Sequence, residues 1–401
     1  MTERQPTRRF ETRKTAIVAS AVDVLNRKGI RGMTLADVAA GLDLVPTAVI
    51  YYFKNKEELA QACFLKGIER FDQLIAAAEA GATVRDRLAL FLTGFFDYKR
   101  KVFDGEAEAV AVFNDVRALN APAVNEAYIA MFRRTRALLA GPETSGWSRT
   151  ALNARAHLLI SEVFWVVAWI YRHDTDSFPR IAGRAISMTA DGLAAPGAVW
   201  APKPLPASVI ETGDAANEQF LRAATELINE EGYVGASVEK ISARLKVTKG
   251  AFYHHNETKD ELVIACFERT FQVMRAAIRQ AEQAGGTGYQ VLATIASALV
   301  GYQMSGNARL LRTSALTSAP EAIQPKLLEQ FDRISHRFAS LISDGIADGS
   351  LRPVDANIAA QMMTGMINAS AELHFWAADA DADTAAQVYV RPFFEGLLSA
   401  D

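Results

Sequence analysis

Residues 248–262 read TKGAFYHHNETKDEL, and 203 positions earlier the chain reads VPTAVIYYFKNKEEL. Each stretch gathers polar, aromatic and small residues onto what reads as one short helix. In the later copy Lys249, Tyr253, His254 and His255 crowd the helix, and Lys259 follows it. Such a set suits contact with a polyanion. Ammonium, phenol and imidazole groups donate to phosphate oxygens, and small residues at the helix start let it approach base edges. A helix that only packed in an αα-hairpin would not need exposed aromatics and cations on its first turns.

The elements that position these residues come from a duplication. Sliding the chain on itself by 203 aligns residues 21–64 with 224–267 without a gap and with 13 identities in 44, among them Asn26, Gly29, Lys56, Cys63 and Phe64. Two copies make a duplicated unit, too few for a solenoid. In the second copy Phe220, Leu221, Ala224, Leu227 and Ile228 share one face of a helix that ends at Gly232, a residue type suited to the position after a helix. Ser237 then caps SVEKISARL, although the glutamate falls two positions on and Lys240 three, an imperfect capping box. Thr34 caps TLADVAAGL with Asp37 three positions on, a better one. After a short turn Thr248 caps KGAFYHH. Two short helices joined by a tight turn behind a longer support helix describe a helix-turn-helix.

A chain of 401 residues, 50% hydrophobic and 22% charged, suits two to four soluble domains. Strand-like alternation is scarce, so the predicted class is all-α. The net charge of −3 hides an asymmetry. Residues 1–203 hold 27 Lys/Arg against 22 acids, residues 204–401 hold 16 against 24, and eight of the cations lie in the first 31 residues. A basic arm ahead of a small helical domain is what a phosphate-facing segment looks like.

The two cysteines, Cys63 and Cys266, occupy matching positions. They read as a redox pair or, with greater weight, as small buried core residues. The apolar run at 158–171 contains Glu162 and is too short to span a bilayer. With no secretory pattern at the N-terminus, a cytoplasmic protein is expected. No nucleophile elbow, dinucleotide glycines, P-loop or metal-spaced His/Asp/Glu set is present, so neither enzyme chemistry, a metal nor a cofactor is predicted.

GYVGASVEKISARLKVTKGAFYHHNETKDEL resembles the DNA-binding signature of the tetracycline-repressor (TetR) family, whose pattern runs G…T-V…I-A…V-S-K-G-T-L-Y-H-Y-F…K-E-E-L. GIRGMTLADVAAGLDLVPTAVIYYFKNKEEL resembles the same signature. The resemblance implies a third helix in the major groove of double-stranded DNA. It places Thr34 and Ser237 at phosphate-facing helix N-termini, and Lys56 and Lys259 on phosphates. Tyr51, Tyr52, His254 and His255 would contact phosphate and groove wall. Base edges would fall to Pro46, Thr47 and Ala48 in one copy and Lys249, Gly250 and Ala251 in the other. The first copy departs from the pattern at Val45-Pro46-Thr47, losing the hydroxyl cap and the lysine. The second keeps Thr248-Lys249-Gly250 but has Asn256 for the usual Phe, and its support helix is acidic.

The resulting expectation is two tandem units. Each has a helix-turn-helix domain (1–65 and 217–269) followed by a helical ligand-binding and dimerisation domain (66–193 and 270–401), with a Pro/Ala-rich linker at 194–216. Extended, 23 linker residues reach up to roughly 75 Å, enough for the halves to pair as an intrachain pseudo-dimer. Residues 153–173 and 178–193 would then meet 357–378 and 385–398, as the family's interface helices do. A further homodimer stays open. Phe95, Phe113, Phe132 and Trp165 in one half, and Tyr302, Met304, Phe331, Met366 and Trp376 in the other, are candidate contacts for a small apolar effector, although core packing gives the same periodicity. The function implied is a ligand-responsive regulator, read as a repressor, with two non-identical recognition helices on a pseudo-palindromic or asymmetric operator. The alternative is that only the first head reads DNA and the second copy is structural.

Overall fold

A computed structural model of the chain describes residues 8–113, 116, 119, 121–206, 215–245, 258–305, 310–312, 315 and 322–400. The first head is α1 (Arg8–Gly32), α2 (Leu35–Ala40) and α3 (Pro46–Ile50). It is followed by α4 (Lys56–Ala78), α5 (Val84–Phe103), α6 (Pro122–Leu138), α7 (Arg149–Trp165) and α8 (Phe178–Asp191). The second half contains α9 (Ala215–Gly235), α10 (Val238–Leu245), α11 (Lys259–Ala284), α12 (Gly288–Met304), α13 (Gln324–Ala347), α14 (Ala356–Ala369) and α15 (Leu373–Trp376). A π-helical turn (Ala386–Val390) runs into α16 (Arg391–Glu395). Among the described residues the β contact is a single isolated bridge between Ala194 and Leu351, so the fold is all-α.

The copies share local structure down to the backbone. Ile17, Val18, Ala21 and Leu25 bury one face of α1, and Phe220, Leu221, Ala224, Leu227 and Ile228 bury one face of α9. Helical geometry breaks at Gly29 (φ 65°) and at Gly232 (φ 70°). These duplicated glycines occupy a left-handed region that other residues enter only at a cost. Asn55 and Thr258, again equivalent, cap α4 and α11 with their side chains.

Both α4 and α11 run unbroken from head into regulatory half. The domain borders expected at 65/66 and 269/270 therefore fall inside helices.

The halves are in contact. Helix α7 lies against α14, α15 and the π-helical turn, and α8 against α14 and α16. Arg184 pairs with Asp355 and Arg172 with Asp332. Asn153 donates to the Trp376 carbonyl at 2.7 Å, and Thr150 to Asp379 at 3.1 Å. The helices in contact fall largely within the segments expected to meet, whereas Thr150, Asp332, Asp355 and Asp379 lie outside them.

The first part of the linker is held against the second half. The Leu193 and Ala194 amides donate to the Phe394 carbonyl at 2.6 and 2.8 Å, and the Ala195 amide to Ser350 at 3.0 Å. Arg352 donates to the carbonyls of Gly192 and Ser187. Trp200 sits 6.2 Å from both the Tyr289 and Phe394 rings, and the Lys203 amide donates to Thr294. Backbone donors and an apolar ring have found partners on the second half, so the segment is laid along it. Residues 207–214 lie outside the described residues.

Candidate nucleic-acid interface

Helix α3 is anchored by Val49, fully buried, while Pro46, Thr47, Ile50 and Tyr51 face outward. Val45 offers no side-chain cap and Pro46 takes the first helical position, where its missing N–H costs nothing. Tyr51 is 74% exposed. The start of α1 folds over this surface: Phe10 lies 4.7 Å from the Tyr52 ring and 6.1 Å from Tyr51, and the two tyrosines meet edge to face at 5.1 Å. Between the arm and α3 opens a groove of about 990 Å³ lined by Arg8, Arg9, Thr12, Arg13, Ala16, Leu44, Ala48, Tyr51 and Tyr52.

The expected residues Ala48, Tyr51 and Tyr52 are thus brought together with three arginines. Charge counting marks the arm as basic without singling out any of its residues. Signal for them lies in α1 itself, whose 25 residues hold seven Lys/Arg against Glu11 and Asp23.

Thr34 and Lys56 are engaged inside the head. The Thr34 hydroxyl accepts from the Asp37 amide at 3.1 Å and donates to its carboxylate at 2.7 Å. Lys28 reaches the same carboxylate at 2.8 Å, and that hydrogen bond, with the one from Thr34, holds Asp37 below its ordinary value. The Lys56 ammonium donates to the carbonyls of Ile30 and Arg31 at 3.3 and 3.1 Å, tying the end of α1 to the start of α4. An ammonium has three donors, so two of them position the head.

In the second head Ser237 accepts from the Lys240 amide at 3.3 Å. Lys259 is half-buried, and desolvation lowers its pKa. Thr248, Lys249, Gly250, Ala251, His254 and His255 lie outside the described residues. The head's electrostatics differ from the first. Helix α9 holds one arginine against four glutamates. Arg244 pairs with Glu230 at 2.6 Å and Glu226 at 3.1 Å, and Lys240 pairs with Glu231. The Lys28–Asp37 pair of the first head recurs at Glu231 and Lys240 with its charges exchanged. That exchange puts an acid where Arg31 of the first head reaches it, at 3.0 Å, and the two heads touch there. Lys240 first and Arg31 second hold Glu231 below its ordinary value.

Of the residues expected around an effector, Phe95, Phe113 and Phe132 are buried in the first half. Phe113 meets Phe64, Phe71, Tyr128 and Phe164 at 5.0 to 6.2 Å. Trp376 belongs to the second half but stacks on Phe132 of the first at 3.8 Å. Trp165 lies at the seam, where a Cβ at Gly365 of α14 would fall 2.7 Å from its indole. Met366 is fully buried there and its carbonyl accepts from Tyr389. Tyr302 accepts from the buried Arg269 at 2.7 Å, and Arg269 pairs with Glu218 of α9 at the same distance. Phe331 packs edge-on to Phe271 at 4.8 Å, and Met304 packs against the core. Trp165 and Trp376 thus join the halves rather than line one of them, a placement that periodicity within one half does not show.

Helix α7 continues to Ala168 as a 20-residue stretch apolar and long enough to cross a membrane by composition, but 61% of it is buried in the protein and it carries Glu162 fully inside. Among the described residues no three His, Cys, Asp or Glu side chains are grouped to hold a metal.

A basic arm folded over a short exposed helix, in the first of two sequence-related units on an all-α scaffold, defines a helix-turn-helix DNA-binding protein. The family of bacterial regulatory proteins, tetR family, matches residues 17–63 and again 220–266. A tetracyclin repressor-like C-terminal domain matches residues 285–372. The transposon Tn10 TetC protein of Escherichia coli is 25% identical over 150 residues, covering 37% of this chain and 74% of TetC. The HTH-type transcriptional repressor DhaR of Mycobacterium sp. (strain GP1) is 25% identical over 138 residues, 34% of this chain and 69% of DhaR. The TetR family transcriptional regulator PfmR from Thermus thermophilus covers 45% of this chain and 98% of its own at 22% identity, with a TM-score of 0.38, too low to carry a structural argument. The chain thus carries the DNA-binding unit of the tetR family of bacterial regulatory proteins twice, with a tetracyclin repressor-like C-terminal domain behind the second.

Proposed function

We propose that the chain is a ligand-responsive repressor acting on DNA in the cytoplasm, that its halves form a pseudo-dimer within one chain, and that its two heads read unlike half-sites with unequal strength. The observation that carries this is the contrast between heads. Arg8, Arg9 and Arg13 line an open groove beside Tyr51, whereas Arg244 and Lys240 of the second head are matched to Glu226, Glu230 and Glu231. Phosphate attraction scales with the cations available to release counterions, so the first head holds the backbone more strongly. Two-fold protein symmetry is mirrored by palindromic operators, and two different heads remove that symmetry. A small apolar effector bound among the regulatory helices would shift the spacing of the heads and lower affinity.

A second reading is favoured by the same acidic pairing: the second head supports the fold and does not read DNA. In vitro selection from a random duplex pool, followed by footprinting, separates the two. Thr47→Ala/Tyr51→Ala abolishes protection of one half-site and Lys249→Ala/His254→Ala weakens the other. If only the first pair matters, the second reading stands. A selected site that is a near-perfect inverted repeat with equal protection sinks the asymmetric operator.

A further inference from the structure

In both halves an asparagine of the head's support helix grips a short extended strap of the regulatory half. The Asn26 side-chain amide donates to the Val110 carbonyl at 3.1 Å, and the Val112 amide donates back to Asn26 at 2.9 Å. The Asn229 side chain donates to the Leu310 carbonyl at 2.9 Å, and the Arg312 amide donates back to Asn229 at 2.9 Å. Both groups of a carboxamide are used, in the same sense, on the first and third residues of each strap. Aspartate lacks the donor and leucine lacks both, so the duplicated asparagine is the residue type this clasp requires.

What each strap touches differs. Phe113 follows the first strap immediately and stands at the centre of the aromatic cluster, 5.0 Å from Phe164 and 5.6 Å from Phe71. Gly67 makes room for it, since a Cβ there would lie 3.1 Å from the ring. The second strap has further holds: the Leu310 amide donates to Gln303 at 2.9 Å, the Leu311 amide to Thr270 at 2.9 Å, and Gln303 donates on to the Ile367 carbonyl at 3.0 Å. Gly67 matches Thr270 and, with the helix caps Thr83 and Thr287 superposed, Lys99 matches Gln303; neither residue offers a side-chain acceptor. The second strap is locked to its own core, whereas the first, held upstream by the Tyr98 hydroxyl on the Glu108 carbonyl, runs directly into Phe113.

We propose that Asn26 and Asn229 are positioning residues that couple each head to the packing of its own regulatory half, and that the first strap is the one that moves the head. Displacement of Phe113 draws on residues 110–112, and through Asn26 on α1, which carries the basic arm. The inference rests on the DNA-reading function proposed above.

The test uses the full chain and the duplex recovered by in vitro selection, with Phe113→Leu standing in for a displaced ring. Phe113→Leu changes the dissociation constant by about fivefold or more in the otherwise unaltered chain, and by less than about twofold beside Asn26→Leu, whereas beside Asn229→Leu the change persists. An equal change in all three backgrounds, or none in any, overturns the proposal. Hydrogen exchange gives an arm free of DNA: Asn26→Leu speeds exchange of the Val112 amide about tenfold or more while buried α5 amides keep their protection, and unaltered Val112 exchange also overturns it. If the unaltered chain selects no duplex, the DNA-reading function fails and the coupling to a head falls with it, while the exchange arm still reports whether the clasp holds the strap.

Discussion

Trp376, from the second half, lies face to face with Phe132 of the first, ring centroids 3.8 Å apart and planes inclined by 22°. Phe132 is 3% exposed, and Tyr128 flanks the indole at 5.8 Å, so the pair joins one half's core to the other. Phe132→Ala should destabilise the chain by about 3–5 kcal/mol. A double-mutant cycle with Trp376→Ala, read by urea unfolding, should show a coupling of about 0.5–1.5 kcal/mol. Strictly additive losses would mean that the stack joins nothing.

If the first head binds DNA as proposed, the arm of α1 should set its salt dependence. Replacing Arg8, Arg9 and Arg13 with alanine together should flatten the slope of log affinity against log salt by about 2–3, at roughly 0.9 for each phosphate that is no longer neutralised. Arg244→Ala should leave the slope nearly as it is, because that guanidinium already faces Glu226 and Glu230. Fluorescence anisotropy on the selected duplex at several salt concentrations reads both.

Glu162 is fully buried on α7 with neither carboxylate oxygen hydrogen-bonded, and desolvation pushes its pKa well above the ordinary 4.5. The folded carboxyl therefore keeps its proton when the unfolded one has lost it. Stability is unaffected below about pH 4.5 and declines as pH rises from there toward the folded pKa. Glu162→Gln removes the titration, so its melting temperature should gain on that of the unaltered chain between about pH 5 and about pH 8. A pH-independent difference would show that the carboxyl is not held neutral.

Cys63 and Cys266 are buried free thiols, each donating to a carbonyl of its support helix, Val18 and Leu221. Burial pushes both thiols up to about 12. Thiolate is the reactive form, so neither should react with a disulfide exchange reagent at neutral pH until the chain unfolds. Rapid labelling of the native protein would restore the redox reading that their placement argues against.

The heads were legible in the sequence because helix caps and turn glycines act within a few residues. Thr34, Pro46, Gly29 and Gly232 each do what their neighbours require of them. The internal role of Lys56 was not legible for the converse reason: the carbonyls it reaches lie 25 and 26 residues earlier in the chain. The stack of Trp376 on Phe132 and the laying of the linker along the second half were not legible, since both depend on how two distant segments meet. Periodicity marks a face as apolar without saying which half covers it. The exchanged pair, Lys28–Asp37 against Glu231–Lys240, was present in the aligned copies but meant nothing until the fold brought Arg31 to it.

The pinned linker bears on how such a regulator is made. A two-chain dimer assembles by collision, and dilution takes it apart. Here the two halves belong to one chain, whose residues 192–203 lie along the second half through backbone hydrogen bonds and Trp200, so the halves are present at a fixed one-to-one ratio at any concentration. Two unlike subunits encoded separately would also sort into like pairs. A single strand delivers one of each, in one order, every time it is translated.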